Sequence, residues 1–244
     1  MARSRRTLAW TAGLAVVVVV GVAAVGAWWY FFRNDAPEQA SIQAAAETLD
    51  GEGASPSAAT RAEGTWTVDP SVGRFQDFSG TWAGYRFDEQ LAKIGAVTAV
   101  GRTPGVTGRM IVEGGKVTDV DLAVDLTKLK SDKDRRDNAL HHRGLESDTY
   151  PTATFRLTEP IALPAGAGTG GKVSTTATGE LTAHGMTKPV KVAIDAEVAN
   201  GRIAVVGRAP LSMSRFGIEA PTGFAVLAIK DQGMFEFQIF FTRA

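Results

Sequence analysis

An antiparallel all-β domain behind an apolar N-terminal segment is what this sequence predicts. Three observations carry that reading: apolar residues at every second position, turn residues between the alternating runs, and a long uncharged stretch near the start of the chain. In Val120–Leu126 the apolar side chains alternate with Asp121 and Asp125, and Asp119 extends the polar row. The same period returns in Val190–Val198 and Phe235–Ile239, and more weakly in Ala153–Leu157 and Ile203–Gly207. A period of two with one apolar face belongs to strands that are dry on one side and wet on the other. Turn signals stand at Glu113–Lys116, Ala165–Gly171 and Ala199–Arg202, where Asn200-Gly201 is a strong hairpin pair. Beginning at Trp66, the pattern gives about eight to ten strands without helical periods between them, a sandwich or a barrel.

The N-terminal stretch from Leu8 to Phe32 holds 25 residues without a charge. As a helix it would be about 38 Å long, enough to cross a hydrocarbon core of about 30 Å. Arg3, Arg5 and Arg6 precede it, while Arg33, Asp35 and Glu38 follow. This bias places a basic segment, 1–7, in the cytoplasm and everything after the span outside, as a single-pass cell-membrane protein with an extracytoplasmic β domain. Val25-Gly26-Ala27 also offers a site for signal peptidase, so a cleaved secretory signal is the competing reading. The length of the run and the aromatic belt Trp28–Phe32 favour an uncleaved signal anchor. Residues 33–63 are rich in Ala, Glu, Ser and Gly and are expected to form a flexible linker, in which Ile42–Leu49 has the length for a short helix. The β domain is expected over 64–244.

Composition excludes several classes. The chain has 244 residues and no Cys, which removes disulfides, thiolate metal sites, cysteine nucleophiles and lipidation at Cys. The 26 Lys and Arg balance 26 Asp and Glu, against the basic surface a nucleic-acid binder needs. His141, His142 and His184 do not form a metal-ligand pattern, because adjacent histidines normally point apart. Ser212 and Ser214 lack a Gly-x-Ser-x-Gly elbow, and Gly166–Gly171 lacks the Lys-Ser/Thr ending of a phosphate-binding loop. Neither metal nor cofactor is expected, and no catalytic residue is assigned.

One segment breaks the alternation. Leu126 to Tyr150 is dense in mixed charges and ends at Tyr150-Pro151, which favours an extended entry into the next strand. It is expected to be a long connection with a short helix that caps one end of the β structure. Arg136 and Asp137 from it, with His184 and Arg215, have the chemistry to hold a polar head group at a barrel rim, or else to tie the connection down.

Arg136-Asp137-Asn138-Ala139-Leu140 followed by Tyr150-Pro151-Thr152-Ala153-Thr154-Phe155 resembles the signature of the YceI-like, polyisoprenoid-binding family. Gly179–Val190 and Arg215-Phe216-Gly217-Ile218 resemble it too, with Trp66–Pro70 opening the domain. The resemblance implies an extended, eight-stranded, lipocalin-like antiparallel barrel in the cell envelope that holds a polyisoprenoid or isoprenoid-quinone-like lipid, as carrier or store. The apolar lining is then expected from Val120, Leu122, Val124, Phe155, Leu157, Val192, Ile194, Val205, Phe235 and Phe237. Tyr85 to Thr107 departs from the short hairpin typical of the family, as does the long glycine turn from Ala165 to Gly171, and both bear on the shape of a pocket mouth. The membrane is the second expected partner, nucleic acid is not one, and a homodimer is compatible with the sequence. Two other functions stay open: an envelope protein-interaction module whose barrel is filled by its own side chains, and a hydrolase or isomerase built on His184 or the Arg136/Asp137 pair.

Overall fold

Alternation along the sequence becomes a closed wall in three dimensions. The computed structural model describes residues 36–51, 62–92, 95–167, 171–222 and 226–244. The basic segment 1–7 and the apolar run 8–32 lie outside the described residues; among those described, no helix is long and apolar enough to cross a membrane.

Eight strands form the ring. β1 (Gly64–Val68) begins the domain, β2 (Trp82–Leu91) and β3 (Gly95–Thr103) form a hairpin, and β4 (Val106–Glu113) and β5 (Lys116–Asp125) form another. Then follow β6 (Lys130–Ser131), β7 (Thr152–Leu157), β8 (Ile161–Ala162), β9 (Val173–Ala183), β10 (Met186–Ala199), β11 (Arg202–Ser212), β12 (Val226–Ile229) and β13 (Gln232–Arg243). Hydrogen bonding runs β1, β4, β5, β7, β9, β10, β11, β13, and β13 returns to β1 through Trp66–Arg243 and Val68–Phe241. The expected eight-stranded antiparallel barrel is therefore present. Closure leaves the ring itself no open edge. The β2–β3 hairpin extends the wall beyond the ring: Trp82–Arg86 pairs with β13, and Glu89–Leu91 with β12.

Two-residue turns fix the register. Gly114-Gly115, His184-Gly185 and Asn200-Gly201 all have positive φ at both positions, the geometry that matches the twist of paired strands. Asn200 and His184 take up this conformation without being glycine, and Asn and His do so more readily than most residues.

The segment 33–63 is not uniformly a linker. α1 (Ile42–Gly51) is a helix whose Ala45 and Leu49 are fully buried against Val72, Ala204, Val206 and Phe240 on the outside of the barrel. Its apolar residues recur at i, i+3 and i+7, which gives one face to dock. Asn200 Nδ2 donates to the Leu49 carbonyl at 2.9 Å, satisfying an acceptor left open at the helix end. Just upstream, the carbonyls of Pro37 and Glu38 accept from Arg86 and Arg102, which share the buried carboxylate of Glu236. Residues 52–61 of the expected linker lie outside the described residues.

The connection after β5 caps one end, as its composition indicated. A turn at Leu126–Lys128, the helix α2 (Asp134–Ala139) and a wide π turn at Leu140–Gly144 cross the opening.

Candidate functional site

The inward side chains of the ring do not fill it. They leave a cavity of about 160 Å³ with an almost wholly apolar wall. All ten residues expected to line the interior, from Val120 on β5 to Phe237 on β13, border this cavity. Among the described residues, Thr154, Thr175 and Glu197 are the polar side chains in its wall. A cavity lined this way offers water few hydrogen bonds and tends to stay dry.

A second cavity of about 650 Å³ stands between the β2–β3 extension, the capping connection and β12. Tyr85, Phe87, Glu89 and Leu91, successive inward positions of β2, make one wall. Leu140, Leu145, Leu211, Met213 and Ile218 provide further apolar surface.

A buried ion pair holds the cap over it. Arg136 Nε donates to Glu89 Oε1 at 3.1 Å and Nη2 to Oε2 at 2.9 Å. Nη1 donates to Asp132 Oδ1 at 2.5 Å and to Ser131 Oγ at 3.2 Å. Burial works against the Arg136 charge, but the Glu89 carboxylate and then Asp132 more than offset it, so its pKa rises above the ordinary arginine value. The guanidinium is thereby spent on the protein's own carboxylates.

The four residues with head-group chemistry do not converge. Arg136 borders the upper cavity, whereas Asp137, His184 and Arg215 border neither cavity. Asp137 Oδ1 accepts from the Ser131 N–H at 2.9 Å and its hydroxyl at 2.6 Å, closing the turn before α2. His184 donates from Nδ1 to the Phe216 carbonyl at 3.1 Å, and its Nε2 meets Glu146 Oε2 at 2.8 Å. The Tyr150 ring packs edge-on at 4.5 Å, so His184 fastens three segments together. Arg215 is exposed and reaches the Pro189 carbonyl at 3.4 Å. His141 and His142 turn to Ser147 and Asp148, respectively. Ser212 and Ser214 both meet Asp231 rather than a histidine. Among the described residues no three metal-ligating side chains converge.

Comparison with known proteins decides the family. The model of the YceI-like domain matches residues 48–241. This chain belongs to the YceI-like family. No curated protein sequence matches it. Among solved structures, it resembles a polyisoprenoid binding domain from Saccharophagus degradans implicated in plant cell wall breakdown. The TM-score is 0.53 at 18% identity, covering 66% of this chain and 94% of that one. BcnA of Burkholderia cenocepacia gives a TM-score of 0.50 at 17% identity, covering 65% of this chain and 95% of the other. At these identities the likeness establishes the shared fold.

Within the YceI-like domain, the sequence motifs fall mainly on structural joints. Arg136-Asp137 fastens the cap, and His184-Gly185 makes the β9–β10 turn. Sequence reasoning missed Tyr85, Phe87, Glu89 and Leu91 as cavity residues. Their signal was present as alternation in Tyr85-Arg86-Phe87-Asp88-Glu89-Gln90-Leu91, where Glu89 falls in the apolar row. The stretch Tyr85–Leu91 supplies one wall of the larger cavity.

Proposed function

We propose that this YceI-like protein holds a polyisoprenoid or similar long-chain apolar lipid inside the barrel, as a carrier or store tethered to the outer face of the cytoplasmic membrane. The observation that carries the reading is the apolar cavity inside the closed ring, with a larger one in tandem at the capped end. The name of the Saccharophagus degradans structure, a polyisoprenoid binding domain, supports the same ligand class. Tethering rests on the uncharged run Leu8–Phe32 and the arginines before it.

Energetics favour exchange over permanent capture. Each CH₂ taken from water into the barrel gains about 0.8 kcal/mol. Taken from a bilayer, it gains almost nothing, because lipid is already apolar. Selection then comes from the shape of the interior. A binding role also fits the spent polar groups: Arg136 is saturated by carboxylates, and both ring nitrogens of His184 are engaged.

The test is mass spectrometry of the organic extract from purified residues 36–244, which lack the apolar segment and so its surrounding lipid. The expected result is a stoichiometric isoprenoid. A lipid-free domain that also takes up no added prenyl alcohol overturns the proposal.

A further inference from the structure

We infer that Tyr85 is the partition between the two cavities and sets the length of apolar chain the barrel accepts; this rests on the lipid-holding reading above. The inward row of β2 crosses from one cavity to the other at this residue. Ala83 borders the lower cavity, Tyr85, Phe87, Glu89 and Leu91 border the upper one, and among the described residues no lining residue is shared between the two. Opposite Tyr85 stand Phe235 on β13, which borders the lower cavity, and Gly101 on β3.

Gly101 makes the partition fit. A Cβ there would lie 2.4 Å from Tyr85 Cε1, so the ring occupies the space that a side chain on β3 would take. Phe87 packs beside it, ring centroids 6.0 Å apart. The Tyr85 hydroxyl is buried and has no hydrogen-bond partner among the described residues. Packing alone therefore holds the ring in place, with no polar bond to break when it moves.

There is somewhere for the ring to go. The upper cavity has about 650 Å³ free. Glu89 and Asp132, which both border this cavity, stand further along β2 and in the cap. Displaced toward the cap, the hydroxyl approaches acceptors it lacks at present, while the two cavities merge into one channel. The β2 row from Ala83 to Leu91 then offers about 27 Å of inward-facing wall. A short prenyl chain fits the upper cavity with the ring in place, whereas a long one has to pass Tyr85.

The experiment titrates the full chain in mild detergent with the short prenyl alcohol farnesol and the long prenyl alcohol solanesol, for the wild type, Tyr85→Trp and Tyr85→Ala. Tyr85→Trp is expected to weaken solanesol about tenfold, with farnesol held within about twofold, the effect of overfilling one packed position. Tyr85→Ala is expected to raise the solanesol-to-farnesol affinity ratio by a similar factor. The ratio is the readout because general loss of structure lowers both affinities together. If Tyr85→Trp does not fold, Tyr85→Ala decides by the same ratio. Binding of both alcohols with an unchanged ratio overturns the partition alone. Failure of the wild type and Tyr85→Ala to bind either alcohol overturns the lipid-holding reading, and the partition with it.

Discussion

Glu89 is an acid on an apolar row, and Arg136 is the reason it is tolerated there. Its side chain is 4% exposed, and the bidentate pair supplies the hydrogen bonds that water would otherwise give. Glu89→Gln keeps the shape but leaves Arg136 with only Asp132 as an ionised partner. Removing one member of a buried pair costs about 3–5 kcal/mol. The remaining bonds from Asp132 and Ser131 bring the expectation to about 2–3 kcal/mol, measured by urea unfolding. A variant as stable as the wild type would show that the cap is held by its apolar contacts instead. Asp69 plays a comparable part at the other end of the barrel. Burial raises its pKa, but hydrogen bonds from Ser71 and Arg202 outweigh this and leave it below the usual carboxylate value. A depressed folded-state pKa gives stability that is complete above the unfolded value, near 4, and is lost as pH falls through the folded value. Melting temperature is thus expected to drop steeply below about pH 4, and Asp69→Asn should flatten that drop while lowering stability at neutral pH.

At the scale of elements, α1 is the instructive case. In β11 the run Ile203-Ala204-Val205-Val206 is apolar on both faces, which weakens the alternation in the sequence. The structure gives the cause: Ile203 and Val205 face the interior, while Ala204 and Val206 lie under α1. A strand apolar on both sides signals a second layer, and Ile42, Ala45 and Leu49 had the spacing to supply it. The surrounding Ala, Glu and Gln masked that spacing, because composition alone does not separate a docked helix from a linker. Leu49→Ala removes a fully buried side chain, and such changes cost about 2–5 kcal/mol. Since α1 lies outside the ring, the loss should appear locally. Amide exchange is expected to quicken through 42–51 while the ring strands stay protected. Uniform loss of protection would instead make the helix part of one cooperative unit with the barrel. The ring itself was legible because each strand states its inward face within a few residues. The upper cavity was not, since its walls come from five separated parts of the chain, Tyr85–Leu91, Ala99, Asp132–Leu145, Leu211–Thr222 and Val226–Ile229, whose meeting depends on barrel closure.

For the whole molecule, the unfilled interior has a thermodynamic consequence. Empty apolar volume destabilises a fold by about 24 cal/mol per Å³. The lower cavity, about 160 Å³, therefore corresponds to about 4 kcal/mol when nothing occupies it. A barrel that serves only as a scaffold gains by filling that space, and an added apolar side chain should stabilise it. Ala196 borders the cavity from β10, between Val173 and Val205 on the neighbouring strands. Ala196→Phe is accordingly expected to melt at or above the temperature of the delipidated wild type. If the cavity is there to be occupied by lipid, delipidation of the wild type removes the filling. At about 2–4 °C per kcal/mol for a domain of this size, the delipidated form should melt about 8–16 °C below the loaded one. Ala196→Phe should show almost none of that difference, because the ring of the new phenylalanine takes the space of the chain. Differential scanning calorimetry of both proteins, before and after extraction and again after reloading with solanesol, separates the cases. Equal melting of loaded and extracted wild type would mean that the interior contributes no binding energy and that the barrel acts through its outer surface.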